Sequence, residues 1–115
     1  MTSPDSVLEV GAWGGDHVLL SVTPSGATIE FDCAHATIPQ SIAVSGGAFN
    51  VPGDYFPEHG GPVREDEPTV QMPSHFHGTV DGKAMTLRIT VIATGQDLGT
   101  YTLTHGAFGR VFKCL

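Results

Sequence analysis

Apolar and polar residues alternate along the chain in short runs, which is the pattern of β-strands with one buried face. No run has the spacing of three and four residues that marks an amphipathic helix. Most of the 15 glycines and eight prolines lie between the runs, where they favour turns. The predicted strands cover 17–23, 27–33, 41–44, 48–56, 75–80, 84–92, 98–104 and 109–115.

The short connections between these strands predict hairpins, so consecutive strands are expected to pair as an antiparallel meander. A meander of about eight strands protects its edges best when it closes into a barrel. We therefore predict an all-β protein, an up-and-down antiparallel meander closed into a small barrel, with a small β-sandwich as the alternative. The 115 residues fit one domain, with an N-terminal tail over 1–8 and a long loop over 57–72.

A short motif precedes the first predicted strand. Gly11 and Trp13 form a G-x-W, and the last predicted strand carries Arg110 and Lys113. Together with the meander, these residues resemble the calycin superfamily, the lipocalin-type and avidin-type barrels. The resemblance implies that the tryptophan plugs one end of the barrel and that a basic residue of the last strand packs over it. It thereby gives Trp13 and Arg110 structural roles.

The chain is also similar to small bacterial proteins that share the segments "GGDH", "FDCAH", "EHGGPVR" and "FKCL". This second resemblance covers most of the chain and implies no activity. Trp13 itself would point outward if the first strand were regular. A β-bulge at Gly14 and Gly15 would turn the ring inward.

Pairing across the predicted turns assigns side chains to the two faces of the sheet. A two-residue turn at 81–82 pairs Phe76 with Leu87 and places His75 and His77 on the solvent face. A His-x-His pair on one strand face is a candidate metal site. On an exposed face, however, we expect both histidines to be dispensable.

Alternation in the first hairpin predicts its inward-facing residues. Val22 would pair with Ile29 through a loop that holds Gly26 in the left-handed conformation. Cys33 would then lie at the end of the second strand and face the core. The predicted inner faces hold Val18, Leu20 and Val22 on one strand and Ile29, Phe31 and Cys33 on the other.

The net charge of the chain disfavours some classes of binding partner. Twelve acidic residues against five lysines and arginines give a net charge of −7, which disfavours nucleic acids and anionic membranes. No apolar run approaches the ~20 residues that span a bilayer. No cofactor motif occurs, so we predict no cofactor. We also predict no nucleic acid and no membrane span, and a small molecule as the possible partner.

Alternating strand directions bring distant polar residues to one end of the barrel, where the 57–72 loop also lies. Histidine titrates near neutrality and binds divalent metals, so this cluster is a candidate for acid–base or metal chemistry. A polar barrel end with a purely structural role is the alternative that we favour. The candidate catalytic residues are Asp16, His35, Glu58 and His59, and the candidate metal ligands are His17, His35 and His59.

The barrel interior is predicted to bind a small apolar ligand. An enzyme that uses the polar cluster under the loop, as an isomerase, cyclase or metal-dependent hydrolase, is an alternative. A packed structural domain without a ligand is another, because a small barrel can fill itself with side chains. We expect a binding protein rather than an enzyme. The predicted ligand-binding residues are Phe31, Phe49, Val51, Met85, Leu87, Ile89 and Tyr101.

Cys33 and Cys114 end the second and the eighth predicted strands, on either side of the first. Cα atoms two strands apart in a flat sheet are separated by ~9.6 Å, whereas a disulfide prefers a Cα separation of ~5.5 Å. Barrel curvature and the freedom of a chain terminus would close this gap. We predict a disulfide, with two free thiols as the alternative. The disulfide implies a periplasmic or secreted protein, and free thiols a cytoplasmic one.

Overall fold

The computed structural model describes residues 5–57 and 71–112, and these contain ten β-strands and no helix. The strands are β1 (Asp5–Val7), β2 (Gly11–Gly15), β3 (Val18–Thr23), β4 (Gly26–Phe31), β5 (Ala34–Ile38), β6 (Ala43–Ser45), β7 (Ala48–Pro57), β8 (Met72–Asp81), β9 (Ala84–Val91) and β10 (Asp97–His105).

Eight of the strands form a closed antiparallel barrel. Around the ring the order is β2, β3, β4, β5, β7, β8, β9 and β10, and the pairing of β10 with β2 closes it. The two three-residue strands lie outside the ring, where β1 pairs with β6 and β6 pairs with β7. The predicted all-β, eight-strand antiparallel barrel is therefore confirmed, and the sandwich is not formed.

The strands of the ring are not all those predicted. The predicted strand 27–33 ends at Phe31, because Asp32 and Cys33 form a turn and β5 continues from Ala34. The glycine-rich β2 was also missed. Conversely, two predicted strands do not belong to the ring. The predicted strand 41–44 overlaps β6, which lies outside the ring, and no strand covers 109–112. Strand number was predicted correctly because two omissions balanced two additions.

The β8–β9 hairpin differs from its predicted register by two residues. Asp81 pairs with Ala84 and Phe76 pairs with Ile89. The turn residues are thus Gly82 and Lys83, and Gly82 takes the positive φ (61°) that type II′ hairpins require at this position. A shift of two residues keeps every side chain on its predicted face.

The β3–β4 hairpin shows the same two-residue difference. Val22 pairs with Ala27 rather than Ile29, and the turn is the pair Pro24 and Ser25. Gly26 is not left-handed but begins β4. The shorter turn leaves Cys33 outside the strand and exposed, so its predicted inward orientation is wrong.

Trp13 faces the interior without the predicted β-bulge. The β2–β3 register is continuous from Gly11 opposite Val22 to Gly15 opposite Val18. Asp16 and His17 form a turn between the two strands. The alternation of inward and outward side chains therefore does not run on unbroken from β2 into β3. His17 has a φ of 68°, the one positive value among non-glycine residues in 5–57 and 71–112.

Inward-facing apolar side chains of the ring form one core, which includes Trp13 at 1% exposure. Leu8 and Ile42 belong to this core and are joined by a backbone hydrogen bond of 2.8 Å. Both precede strands that start at the same end of the barrel, which we call the covered end. The opposite end, called the tyrosine end, carries the connections 16–17, 32–33 and 92–96.

Candidate functional site

The seven predicted ligand-binding residues come together in the structure, mostly as packed core. Six of them are at most 6% exposed, and Tyr101 is half-buried against the same cluster. Side chains therefore fill the barrel at their level, as in other small eight-strand barrels. Of the seven, only Tyr101 offers an appreciable accessible surface.

Three aromatic rings meet at the tyrosine end. Phe31 lies at the end of β4, with its ring centroid 5.1 Å from that of Tyr101 and 5.6 Å from that of Tyr55. Phe31 is 3% exposed, whereas both tyrosines are half-buried. The trio thus extends from the core to a surface that a ligand can reach. Tyr55 lies in the predicted strand 48–56 but was not among the predicted ligand-binding residues.

The Tyr101 hydroxyl leans towards the tyrosine end. A Cβ atom built on Gly99 would lie 3.4 Å from this hydroxyl oxygen. Burial, and after it the negative charge of Asp32, raises the pKa of Tyr101 above its usual 10.0. The hydroxyl is therefore protonated at neutral pH and can donate a hydrogen bond.

Asp32 organises the polar rim of this end. Its Oδ2 lies 2.5 Å from Nδ1 of His17, and its Oδ1 accepts a 2.8 Å hydrogen bond from the backbone N–H of Phe112. Asp32 therefore joins two turns and the segment that follows β10. Asp32 lies within the predicted strand 27–33, and this role was missed because the turn was hidden inside an apparently regular alternation.

The other predicted polar residues do not gather into one cluster. Asp16 forms a parallel bridge with Arg110. His35 lies on the outer wall, stacked on Phe56 with ring centroids 4.9 Å apart. Its strand is three strands away from β2 in the ring, or ~14 Å at the usual spacing. Glu58 and His59 lie outside the described residues.

The candidate metal ligands do not form a metal centre within the described residues. Across 5–57 and 71–112, no group of three or more histidine, cysteine or carboxylate side chains has a metal-binding arrangement. His17 contacts Asp32 and is separated from His35 by the width of β3 and β4.

In the described residues, the contacts found for Trp13 and Arg110 are with different parts of the molecule, and the packing of Arg110 over Trp13 stays a prediction. The Trp13 indole N–H donates to the Glu9 carbonyl at 3.0 Å, and its ring meets His105 edge-on at 4.9 Å. Arg110 is exposed, and its backbone N–H donates to the Gly15 carbonyl. His105 therefore occupies the position next to Trp13, since the chain leaves the sheet after β10.

The segment 106–112, called the C-terminal segment, covers the outer face of β2. The Gly106 N–H donates to the Ala12 carbonyl at 2.7 Å, and the His17 N–H donates to the Arg110 carbonyl at the same distance. Cys33 lies beside the far end of this segment, in the turn that contains Asp32. Cys114 lies outside the described residues, so the disulfide stays a prediction.

Within the described part of the chain, no helix is long and apolar enough to cross a membrane. No family model, no curated protein and no solved structure matches this chain.

Proposed function

We propose that this barrel binds a small, largely apolar and uncharged molecule at the tyrosine end. The observation that carries the proposal is the contact of Phe31 with two half-buried tyrosines. Small-molecule sites are mostly apolar surfaces with a few well-placed polar groups. Two phenol rings beside a buried phenylalanine supply both kinds of group.

The charge at this end favours a neutral ligand. Burial and, after it, the charge of Asp32 raise the pKa of Tyr101, so the negative charge of Asp32 is felt at the hydroxyl. The same charge disfavours an anionic ligand beside Tyr101, while the protonated hydroxyl suits a hydrogen-bond acceptor. A molecule with an aromatic or aliphatic body and one carbonyl or ether oxygen meets these conditions.

The contacts of Asp32 favour binding over catalysis. Both of its oxygens are engaged, one by His17 and the other by the backbone of Phe112. A general base needs a lone pair directed at its substrate, and one acceptor site on each oxygen of Asp32 is directed at a structural partner. An enzyme remains the second candidate function because a carboxylate orients the His17 ring, as in acid–base pairs.

A neutral fluorescent probe tests the proposal. N-phenyl-1-naphthylamine brightens in apolar sites, so its fluorescence should rise on addition of the protein. Tyr101→Ala and Tyr55→Ala should each weaken its affinity about fivefold, the equivalent of one aromatic contact of about 1 kcal/mol. The matched control is Phe108→Ala, which removes a ring that is 97% exposed outside the site and should leave the affinity unchanged.

The proposal is wrong if the probe does not bind, or if all three variants bind it as well as the original protein. Tyr101→Phe adds a finer test, because it keeps the ring and removes the hydroxyl. Affinity for N-phenyl-1-naphthylamine should survive this change.

A further inference from the structure

A concave surface of about 540 Å³ lies on the outer wall of the barrel, across β7 to β10. We call it the outer groove. Its volume falls within the range of roughly 300–1,000 Å³ of small-molecule sites. The polar residues that line it are Asn50, His77, Thr79, Thr86, Arg88 and Thr100.

Strand register places these residues side by side. His77 pairs with Asn50 on one side and with Arg88 on the other, and Arg88 pairs with Thr100 on the next strand. Thr79 pairs with Thr86 in the row above. Directly paired residues of antiparallel strands point to the same face. These polar side chains therefore share the face of the sheet that turns away from the core, while most of the accessible surface of the groove is apolar.

The outer groove differs in composition from the acidic chain as a whole. The chain carries a net charge of −7, yet none of the residues lining the groove is acidic. Arg88 and His77 are the ionisable groups in this lining. Among the groups that line the groove, Arg88 and His77 are therefore the ones that can attract a negatively charged group, and Asp97, which is outside the lining, pairs with Arg88.

Arg88 forms an ion pair with Asp97 at the surface. Its Nε donates to Oδ2 of Asp97 at 3.0 Å, and Oδ1 of Asp97 accepts a 2.8 Å hydrogen bond from the N–H of Gly99. The irregular register between Asp97 and Gly99 brings this N–H to the carboxylate. Among the described residues, the two terminal guanidinium nitrogens have no protein partner and can form a forked pair with an anion.

The two histidines of β8 extend the same face. Both are half-buried on the outer wall, with ring centroids 5.8 Å apart and nearly parallel planes. Nδ1 of His75 lies 3.1 Å from Oδ1 of Asn50, which steadies this ring. His77 has no hydrogen-bond partner in the described part of the chain and lies directly opposite Arg88. Its outward orientation agrees with the sequence prediction, and its dispensability stays a prediction.

We propose that the outer groove binds a small molecule in which one carboxylate or phosphate group is attached to an apolar body. Arg88 takes the anionic group through its terminal nitrogens, and His77 and the threonine hydroxyls add hydrogen bonds. Asp97 is a positioning residue that acts through Arg88. This site is separate from the tyrosine end, and its ligand is anionic where the ligand of the tyrosine end is uncharged. Either proposal can therefore fail without the other.

Octanoate, octyl phosphate and the uncharged 1-octanol form a matched set of probes. Titrated into isotopically labelled protein at constant ionic strength, the two anions should shift the amide resonances of 77–79 and 86–88. The octanol should bind about tenfold more weakly, the usual effect of losing a charge-assisted hydrogen bond. Comparison of octanoate with octyl phosphate then shows which anion the site prefers.

Substitutions at Arg88 decide the outcome. Arg88→Gln should weaken octanoate binding about tenfold or more, and Arg88→Lys should weaken it less, since the charge is kept and the fork is lost. Arg110→Gln removes an exposed arginine outside the groove and should have no effect. Arg88 is 59% exposed, so both variants should fold, as their amide spectra will show.

The proposal is overturned by any of three results. These are equal affinities for octanoate and octanol, unchanged octanoate binding in Arg88→Gln, and shifts confined to the tyrosine end.

Discussion

Two glycines of this chain matter for the space that they leave. A Cβ atom on Gly14 would lie 2.4 Å from the carbonyl oxygen of Ala107, and one on Gly109 would lie 2.7 Å from Cβ of Leu19. Both contacts join the C-terminal segment to the outer face of β2 and β3. These two glycines therefore allow the C-terminal segment to lie against the strands, a use of glycine that is common in strands.

Gly14→Ala should lower the free energy of unfolding by about 1–3 kcal/mol, as overpacking typically does. The added methyl group meets backbone atoms of Ala107, Phe108 and Gly109, which cannot move aside as a side chain can. Urea denaturation measures the effect. Ala12→Ser, at an exposed position of the same strand, is the control. Equal stability of the two variants would contradict this account of Gly14.

Tyr101 should make the stability of the protein depend on pH in the alkaline range. Its pKa is raised above 10.0 in the folded state by burial and by Asp32. The folded state therefore holds the phenol proton more tightly than the unfolded state does. This contribution to the free energy of unfolding is complete below pH 10 and is lost as pH rises through the folded pKa.

Tyr101→Phe should remove that loss, so its stability should fall less steeply than that of the original protein between about pH 9 and pH 12. Urea denaturation across this range gives the two slopes, and ultraviolet absorbance of tyrosinate reports the titration directly. Parallel slopes would show that Tyr101 does not titrate differently on folding.

At the scale of elements, most differences between the predicted and the observed strands arise at turns. Asp32 and Cys33 interrupt an alternating run, so the second predicted strand contained a turn and β5 was missed. Asp16 and His17 likewise separate β2 from β3, with His17 in the left-handed conformation that is uncommon outside glycine. Both turns lie at the tyrosine end, and so errors in strand ends became errors in the predicted site.

The C-terminal segment supports the predicted disulfide. Phe112 donates its N–H to Asp32, the residue before Cys33. Cys114 follows Phe112 by two residues, a span of at most ~7 Å along the chain. A disulfide between Cys33 and Cys114 would attach the end of the chain to the β4–β5 turn, and with it we propose a periplasmic or secreted location.

Thiol counting in denaturant without reductant should find no reactive thiol per chain, and two after reduction. By the chain-entropy estimate for a loop of this length, Cys33→Ser should then cost about 4–5 kcal/mol of stability. The double variant Cys33→Ser with Cys114→Ser should cost no more than the single one. Two reactive thiols before reduction would rule out the bridge and favour a cytoplasmic location.

At the scale of the whole molecule, alternation was the reliable signal. It predicted the inward faces of β3, β8 and β9 correctly, because a register shift of two residues does not exchange the faces of a strand. The all-β class and the closure of the barrel followed from the same signal. Trp13 was correctly placed in the structural core, with a wrong explanation for its direction.

The candidate sites were much less predictable. Tyr101 and Phe31 belonged to the predicted ligand-binding set, but Tyr55 and Asp32 join them through pairings that span distant parts of the chain. The outer groove depends on the curvature of four strands as well as on residue identity. Periodicity assigns a residue to a face and carries no information about whether that face is hollow.

The pairing of β2 with β10 has a consequence for biosynthesis. Gly14 pairs with Thr104 and Trp13 with His105, so the first strand of the ring finds its second neighbour only in the last. A nascent chain that has reached β9 still exposes one edge of β2, and such edges are prone to intermolecular pairing. Ring closure joins residues far apart in sequence, which makes folding slow. The ribosome must therefore finish nearly the entire barrel before its first strand is protected.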